Sequence, residues 1–391
     1  MIMASALHLT RPKTPPPLHI PPSSATVTVR VIDSTTTLLL NPSLFWQPQM
    51  KGLESVYAPI YCFLVSHGNR HVLFDLGVRR DWENYAPRTV DLIRRTTRCH
   101  TEKNISEILD TYAKQVSDAD VVVRSRDIEA IIWSHHHFDH IGDPSTFPSS
   151  TTLVVGPGLR NTCWPAYPSN PDSLVLDADI EHREVREINF STGSVHVGRF
   201  RAFDYFGDGS FYLLDSPGHS VGHLTALARV TTSGDGNPQH DSFVFMGADA
   251  CHHPGVLRPT EYLPLPSQLS PSPSRLFTHA CPGETLQRLQ RNNSPAEPFF
   301  TVSPILFPDH EAALDTVRKI AELDASDNIF VIIAHDGSIK NHIDLFPESI
   351  NDWKAKGVRL QTRWLFCNDF TSAIEECDTR NVVVEKDLFN C

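Results

Sequence analysis

The stretch SHHHFDHIGD, residues 134–143, decides the reading of this chain. It sets five potential metal ligands, His135, His136, His137, Asp139 and His140, close together directly after the apolar run 128–133, which has the length of a buried strand. Imidazole and carboxylate suit zinc. In an extended turn residues two apart point the same way, so His135 and His137 are placed to hold one ion while Asp139 and His140 hold a second. The plain alternative is a chance run of histidines on a solvated loop; the spacing and the strand before it weigh against that.

The spacing HxHxDH, filled by His135, His137, Asp139 and His140, resembles the signature of the metallo-β-lactamase superfamily. With VLFDLG (72–77), SPGHSVGH (216–223) and GADA (247–250), it looks most like the N-acyl homoserine lactone lactonase branch and its fungal relatives. The resemblance spans about residues 45–345 and implies an α/β fold in four αβ/βα layers, with metals at the sheet edges. It also implies three later ligands, each after a strand-like run: His219, Asp249 and His335. By this likeness His135, His137 and His219 would bind one Zn2+, Asp139, His140 and His335 a second, and Asp249 would bridge them. The chemistry agrees on its own terms: a carboxylate between two cations compensates charge, and zinc lowers the pKa of bound water from about 15.7 towards 7. Asp139 would then serve as both ligand and base.

Other residues near these positions carry less certain chemistry. Three residues after Asp249, where the lactonase branch usually has tyrosine, stands His252; it is expected to hydrogen-bond the substrate oxygen or protonate the leaving group. Otherwise His252 and His253 orient the ligands or face solvent. His223 suits a packed structural histidine. Asp75 suits either support of the metal loop or a turn. Cys251, next but one to Asp249, suits packing. Phe45, Trp46, Trp82 and Trp164 suit either core or pocket wall.

Outward from the motif, strand-like segments lie at 25–32, 57–65, 71–76, 152–155, 211–214, 223–230, 242–246 and 329–334. Helical spacing marks 104–116, and Asp309 is placed to cap a helix over 311–323. Residues 1–25, rich in proline, are expected to form a loose arm, and 26–391 a single domain. A Pro/Ser-rich insertion near 256–300 interrupts it, with 264–275, PLPSQLSPSPSR, expected as an exposed loop.

A net charge of -12 and no basic cluster exclude nucleic acid as an expected partner. The eight cysteines form no CxxC pair, and no apolar run has the length of a membrane span, so a cytoplasmic protein is expected. The expected function is opening of a small lactone or cyclic amide by a binuclear zinc site, in detoxification or secondary metabolism. The alternatives are a thioesterase of glyoxalase II or carrier-protein type, and a non-catalytic, metal-stabilised binding protein.

Overall fold

Apolar alternation and unbroken apolar runs resolve into two sheets. The computed structural model describes residues 7–116, 122–191 and 195–377; the ends of the expected arm (1–6) and domain (378–391, with Cys391) lie outside the described residues. The first sheet contains β1 (Thr28–Leu40), β2 (Val56–His67), β3 (Arg70–Phe74), β4 (Arg98–Thr101), β5 (Ala130–Ile132), β6 (Thr152–Val155) and β7 (Val185–Glu187), in the order β4-β1-β2-β3-β5-β6-β7. The second contains β8 (Val195–Val197), β9 (Phe200–Asp204), β10 (Phe211–Asp215), β11 (Leu224–Thr231), β12 (Ser242–Met246) and β13 (Ile329–Ile332), in the order β13-β12-β11-β10-β9-β8.

Side chains on a strand alternate between faces, and each sheet here buries both. Val29, Val31, Phe63 and Ile132 of the first sheet meet Phe211, Val244 and Ile332 of the second in the layer between them. The first sheet's other face, with Leu38, Ile60 and Leu64, packs on Val90 and Ile93 of α1 (Pro87–Thr96) and on Ile105 and Leu109 of α2 (Ile105–Gln115). A one-turn helix α3 (Phe138–Ile141) follows β5. The outer face of the second sheet packs Phe243 and Phe245 against Val317, Ile320 and Leu323 of α4 (His310–Asp324). Helix, sheet, sheet, helix is the four-layer α/β arrangement expected. Asp309 caps α4 as expected, its Oδ1 accepting from the Ala312 N–H at 3.0 Å. Helix α1 and strands β8 and β9 were not legible beforehand.

Strand direction places the site. β3, β5 and β6 run parallel, with Phe74 opposite Ile132 opposite Val154, so their C-terminal ends leave the sheet at one edge. β12 and β13 are also parallel, with Met246 opposite Ile332. The motif loop, the segment at Asp249 and the segment at His335 therefore emerge together, in the crevice where open α/β sheets place their ligands.

Two expectations are corrected. The arm is not loose over its described part: Leu9 N–H donates to the Leu265 carbonyl at 2.9 Å, Lys13 N–H to that of Glu261 at 2.8 Å, and Ile20 is buried in the core outside the second sheet. Proline removes donors, but the residues between the prolines keep theirs and bond to the insertion. Nor is 264–275 an exposed loop throughout. Pro264, Leu265 and Pro266 are buried, and Gln268–Leu269 pairs with Cys281–Pro282; only 268, 270, 271 and 275 are exposed. The apolar residues in that stretch pack beneath the arm despite its composition.

If the arm is part of the core, Ile20→Ala lowers the unfolding free energy by about 2–5 kcal/mol in denaturant titration. A change below about 0.5 kcal/mol would show that the arm is only laid on the surface.

Candidate metal centre

Three loops meet at the common edge. After β5 the chain turns through Ser134, His135 and His137 into α3, whose single turn brings Asp139 and His140 to face inward, both buried. Asp75, the residue after β3, holds this turn from behind. It adopts a positive φ of 64°, accepts the Ser134 N–H on Oδ1 at 2.7 Å, and places Oδ2 2.8 Å from His140 Nδ1. Of the two roles weighed for Asp75, the structure therefore shows support of the motif loop. Ser134 Oγ lies 3.0 Å from His135 Nδ1, so one hydroxyl orients a second imidazole. Sequence reasoning did not single out Ser134; its position between strand and motif was the available signal.

The later segments close the cluster. Gly218, in SPGH, has φ +127°, and a Cβ there would fall 2.2 Å from the Ala313 nitrogen of α4, so glycine alone lets His219 enter under that helix. Past β12, Ala248 takes a φ of 42° that aims Asp249 at the motif loop. The Asp249 N–H donates to His223 Nε2 at 3.3 Å, while His223 Nδ1 lies 2.9 Å from the Ser216 carbonyl. His223 is thus the packed structural histidine expected, positioning Asp249. His335 follows β13 with Nδ1 3.0 Å from the Pro59 carbonyl.

All seven residues assembled from the sequence come together as two groups sharing Asp249: His135, His137, His219 and Asp249, and Asp139, His140, Asp249 and His335. Within each, one ligand atom per residue lies within 4.8 Å of all the others. Asp249 Oδ2 is 3.7 Å from His135 Nε2 and 3.5 Å from His219 Nε2; Oδ1 is 3.1 Å from both His140 Nε2 and His335 Nε2. Asp139 Oδ2 lies 3.3 Å from His335 Nε2.

The donor set fits divalent cations. His219 Nε2 and His137 Nδ1 face each other at 2.9 Å. Burial and the neighbouring imidazoles hold His135 and His219 well below the usual histidine range and His137 down at about 3, so at neutral pH all three offer lone pairs. In the other group His140 Nε2, His335 Nε2 and Asp249 Oδ1 are buried and, although each nitrogen lies only 3.1 Å from that oxygen, are not aligned for a hydrogen bond. Groups so buried are ordinarily paired, and a cation among them supplies what is missing. Burial works against charge on His335, yet Asp249 and Asp139 push its pKa up to about 10. The carboxylates draw positive charge into this group.

His252 lies in the wall of the site. Its Nε2 is 3.0 Å from Asp249 Oδ2, its ring stacks on Phe45 at 4.2 Å, and its Nδ1 is buried and unpartnered. His253 turns away, accepting the Gly255 N–H on Nδ1 and placing Nε2 3.2 Å from Asp369 Oδ2. Cys251 is packed in the core. A cavity of about 190 Å³ opens onto His137, Asp139, His219, Asp249, His252 and His335, its remaining wall formed by Leu38, Leu40, Leu44, Phe45, Leu92, Thr96, Thr97, Phe138 and Leu306. Of the aromatics weighed beforehand Phe45 lines the cavity, Trp46 packs by His253, and Trp164 packs on Trp133. The leucines were not foreseen, because they come from distant segments.

Several known proteins are similar to this chain. The family model for the metallo-beta-lactamase superfamily matches residues 58–228. The chain is 56% identical to the metallo-hydrolase mfmC of Annulohypoxylon moriforme, over 96% of each chain. It is 40% identical to the gamma-lactamase FDB1 of Fusarium pseudograminearum (strain CS3096), over 95% of this chain and 89% of that one. Among solved structures, an N-acyl homoserine lactone hydrolase with N-hexanoyl-L-homoserine bound at its catalytic metal centre aligns with a TM-score of 0.50 at 17% identity, covering 83% of this chain and 100% of that one, a likeness of fold. A full-length relative at this identity, the matching family model and the shared fold together mean that the chain belongs to the metallo-β-lactamase superfamily and is a metal-dependent hydrolase.

Proposed function

We propose that this protein opens a small lactone or lactam at a site holding two zinc ions. The observation that carries this reading is Asp249, which turns one carboxylate oxygen to each of two histidine groups at the floor of an apolar cavity. His135, His137 and His219 would hold one ion, Asp139, His140 and His335 the other, with Asp249 between them. Bound there, the ions would supply a water acidic enough to attack at neutral pH and would polarise the ring carbonyl.

The remaining roles fall to the chain's own side chains. Asp139, at the cavity wall, takes up the proton that the attacking water gives away. His252 lines the cavity beside Asp249, which its Nε2 faces at 3.0 Å, and this supports a role for its imidazole in hydrogen-bonding the ring oxygen or protonating the departing atom. Asp75 and Ser134 fix the imidazoles of His140 and His135. The gamma-lactamase name of one relative and the lactone hydrolase of similar fold support a cyclic amide or ester as substrate. The thioesterase reading is weaker, because among the described residues no lysine or arginine lines the cavity to meet the carboxylates of glutathione or the phosphate of a carrier arm. The role proposed is detoxification or secondary metabolism in a reducing, cytoplasmic setting. The seven cysteines among the described residues are all free, in keeping with that setting, and no helix among those residues is long and apolar enough to cross a membrane.

Three outcomes are expected. Asp249→Ala loses at least one of two metals by elemental analysis and loses ring opening with it; full metal content in this variant would remove Asp249 from the bridge. Asp75→Asn weakens metal affinity about 10- to 100-fold in competition with a chelator; unchanged affinity would reduce Asp75 to a turn residue. His252→Phe, which keeps the stack on Phe45, retains both metals and lowers kcat about 10²- to 10³-fold, whereas unchanged kcat would assign His252 to packing.

A further inference from the structure

The cavity wall narrows the substrate beyond the ring that is opened. Apart from the metal-facing groups and His252, it consists of leucines, Phe45, Phe138 and two threonines. Neither threonine has a hydrogen to give: Thr96 Oγ1 donates to the Leu92 carbonyl at 2.8 Å and Thr97 Oγ1 to the Leu39 carbonyl at 2.9 Å. The backbone behind them is engaged as well. β1 pairs on both edges at Leu38, with Ala58 of β2 and Cys99 of β4, while the Leu44 and Phe45 N–H groups donate to the Asn41 and Pro42 carbonyls. At the mouth, Leu92 and Leu306 are 39% and 37% exposed, so the apolar lining runs out to the surface.

From this wall, and resting on the hydrolase reading above, we infer that the substrate is a neutral lactone or lactam whose only polar part is the ring to be opened, with a hydrocarbon or aryl flank against Leu38, Leu40, Leu44, Phe45 and Leu306. Among the described residues of the wall beyond the metal-facing groups and His252, a second carbonyl on the flank finds no free side-chain donor, and an ionised group finds no cationic side chain. Each such group leaves water without replacement partners, and a site that leaves a polar group unpaired discriminates strongly against it. An N-acylamino substituent on the ring is therefore disfavoured, although the fold is shared with a hydrolase of acyl homoserine lactones. The bond change is ordinary hydrolysis: water adds to the ring carbonyl, the ring C–O or C–N bond breaks, and a proton goes to the departing oxygen or nitrogen.

A matched pair tests this with the metal-loaded full chain. α-Heptyl-γ-butyrolactone and N-hexanoyl homoserine lactone carry chains of the same length on the same ring carbon and differ only by the amide. The expected result is kcat/KM about 10- to 100-fold higher for the alkyl lactone. Leu306→Asn, at a half-exposed position of the wall, is expected to narrow that preference by supplying a donor. Equal rates, or preference for the acylamino lactone, would overturn the inference while leaving a lactone hydrolase in place; an unchanged preference in Leu306→Asn would likewise count against the wall as its source. Turnover of neither lactone, with cleavage of a thioester instead, would remove the lactone or lactam reading and this inference with it.

Discussion

The rest of the structure depends on one electrostatic constraint: seven histidine and aspartate side chains, six of them buried and His137 half-buried, are held face to face. Imidazole nitrogens that close to one another and to two carboxylates cannot all be satisfied by hydrogen bonds. The arrangement is sensible only if positive charge enters between them. The supports behind it, Asp75 under His140, Ser134 beside His135, His223 under Asp249 and the Pro59 carbonyl behind His335, point each ligand inward before any ion arrives.

The two sheets exist to bring those supports to one edge. Parallel pairing of β3 with β5 and of β12 with β13 sends four chain segments out in the same direction, and the packed layer between the sheets fixes the distance between the two pairs. Strain appears where the ligands leave the strands. Asp75 and Ala248 adopt positive φ, a conformation unfavourable for residues with a Cβ, and both flank the metal groups. Stability spent at those turns is returned by the layers around them.

How far all this is legible in sequence follows from the separation of the residues involved. His135, His137, Asp139 and His140 are legible because one strand and one turn carry them all; His219, Asp249 and His335 are legible only through likeness to a family, since nothing local distinguishes them from histidines such as His253. The cavity wall is hidden for the same reason in stronger form: Leu38, Leu92 and Leu306 are ordinary apolar residues until the fold joins them. The proline-rich stretches misled because composition reports on missing donors and not on where Leu9, Ile20 and Leu265 pack.

The most direct test of the account is an X-ray structure of the zinc-loaded protein with anomalous scattering recorded at the zinc edge. Two anomalous peaks, one on each side of the Asp249 carboxylate and reached respectively by His135, His137 and His219 and by Asp139, His140 and His335, are the predicted result. A single peak, or peaks away from Asp249, would contradict the shared-carboxylate site on which the rest of the account is built.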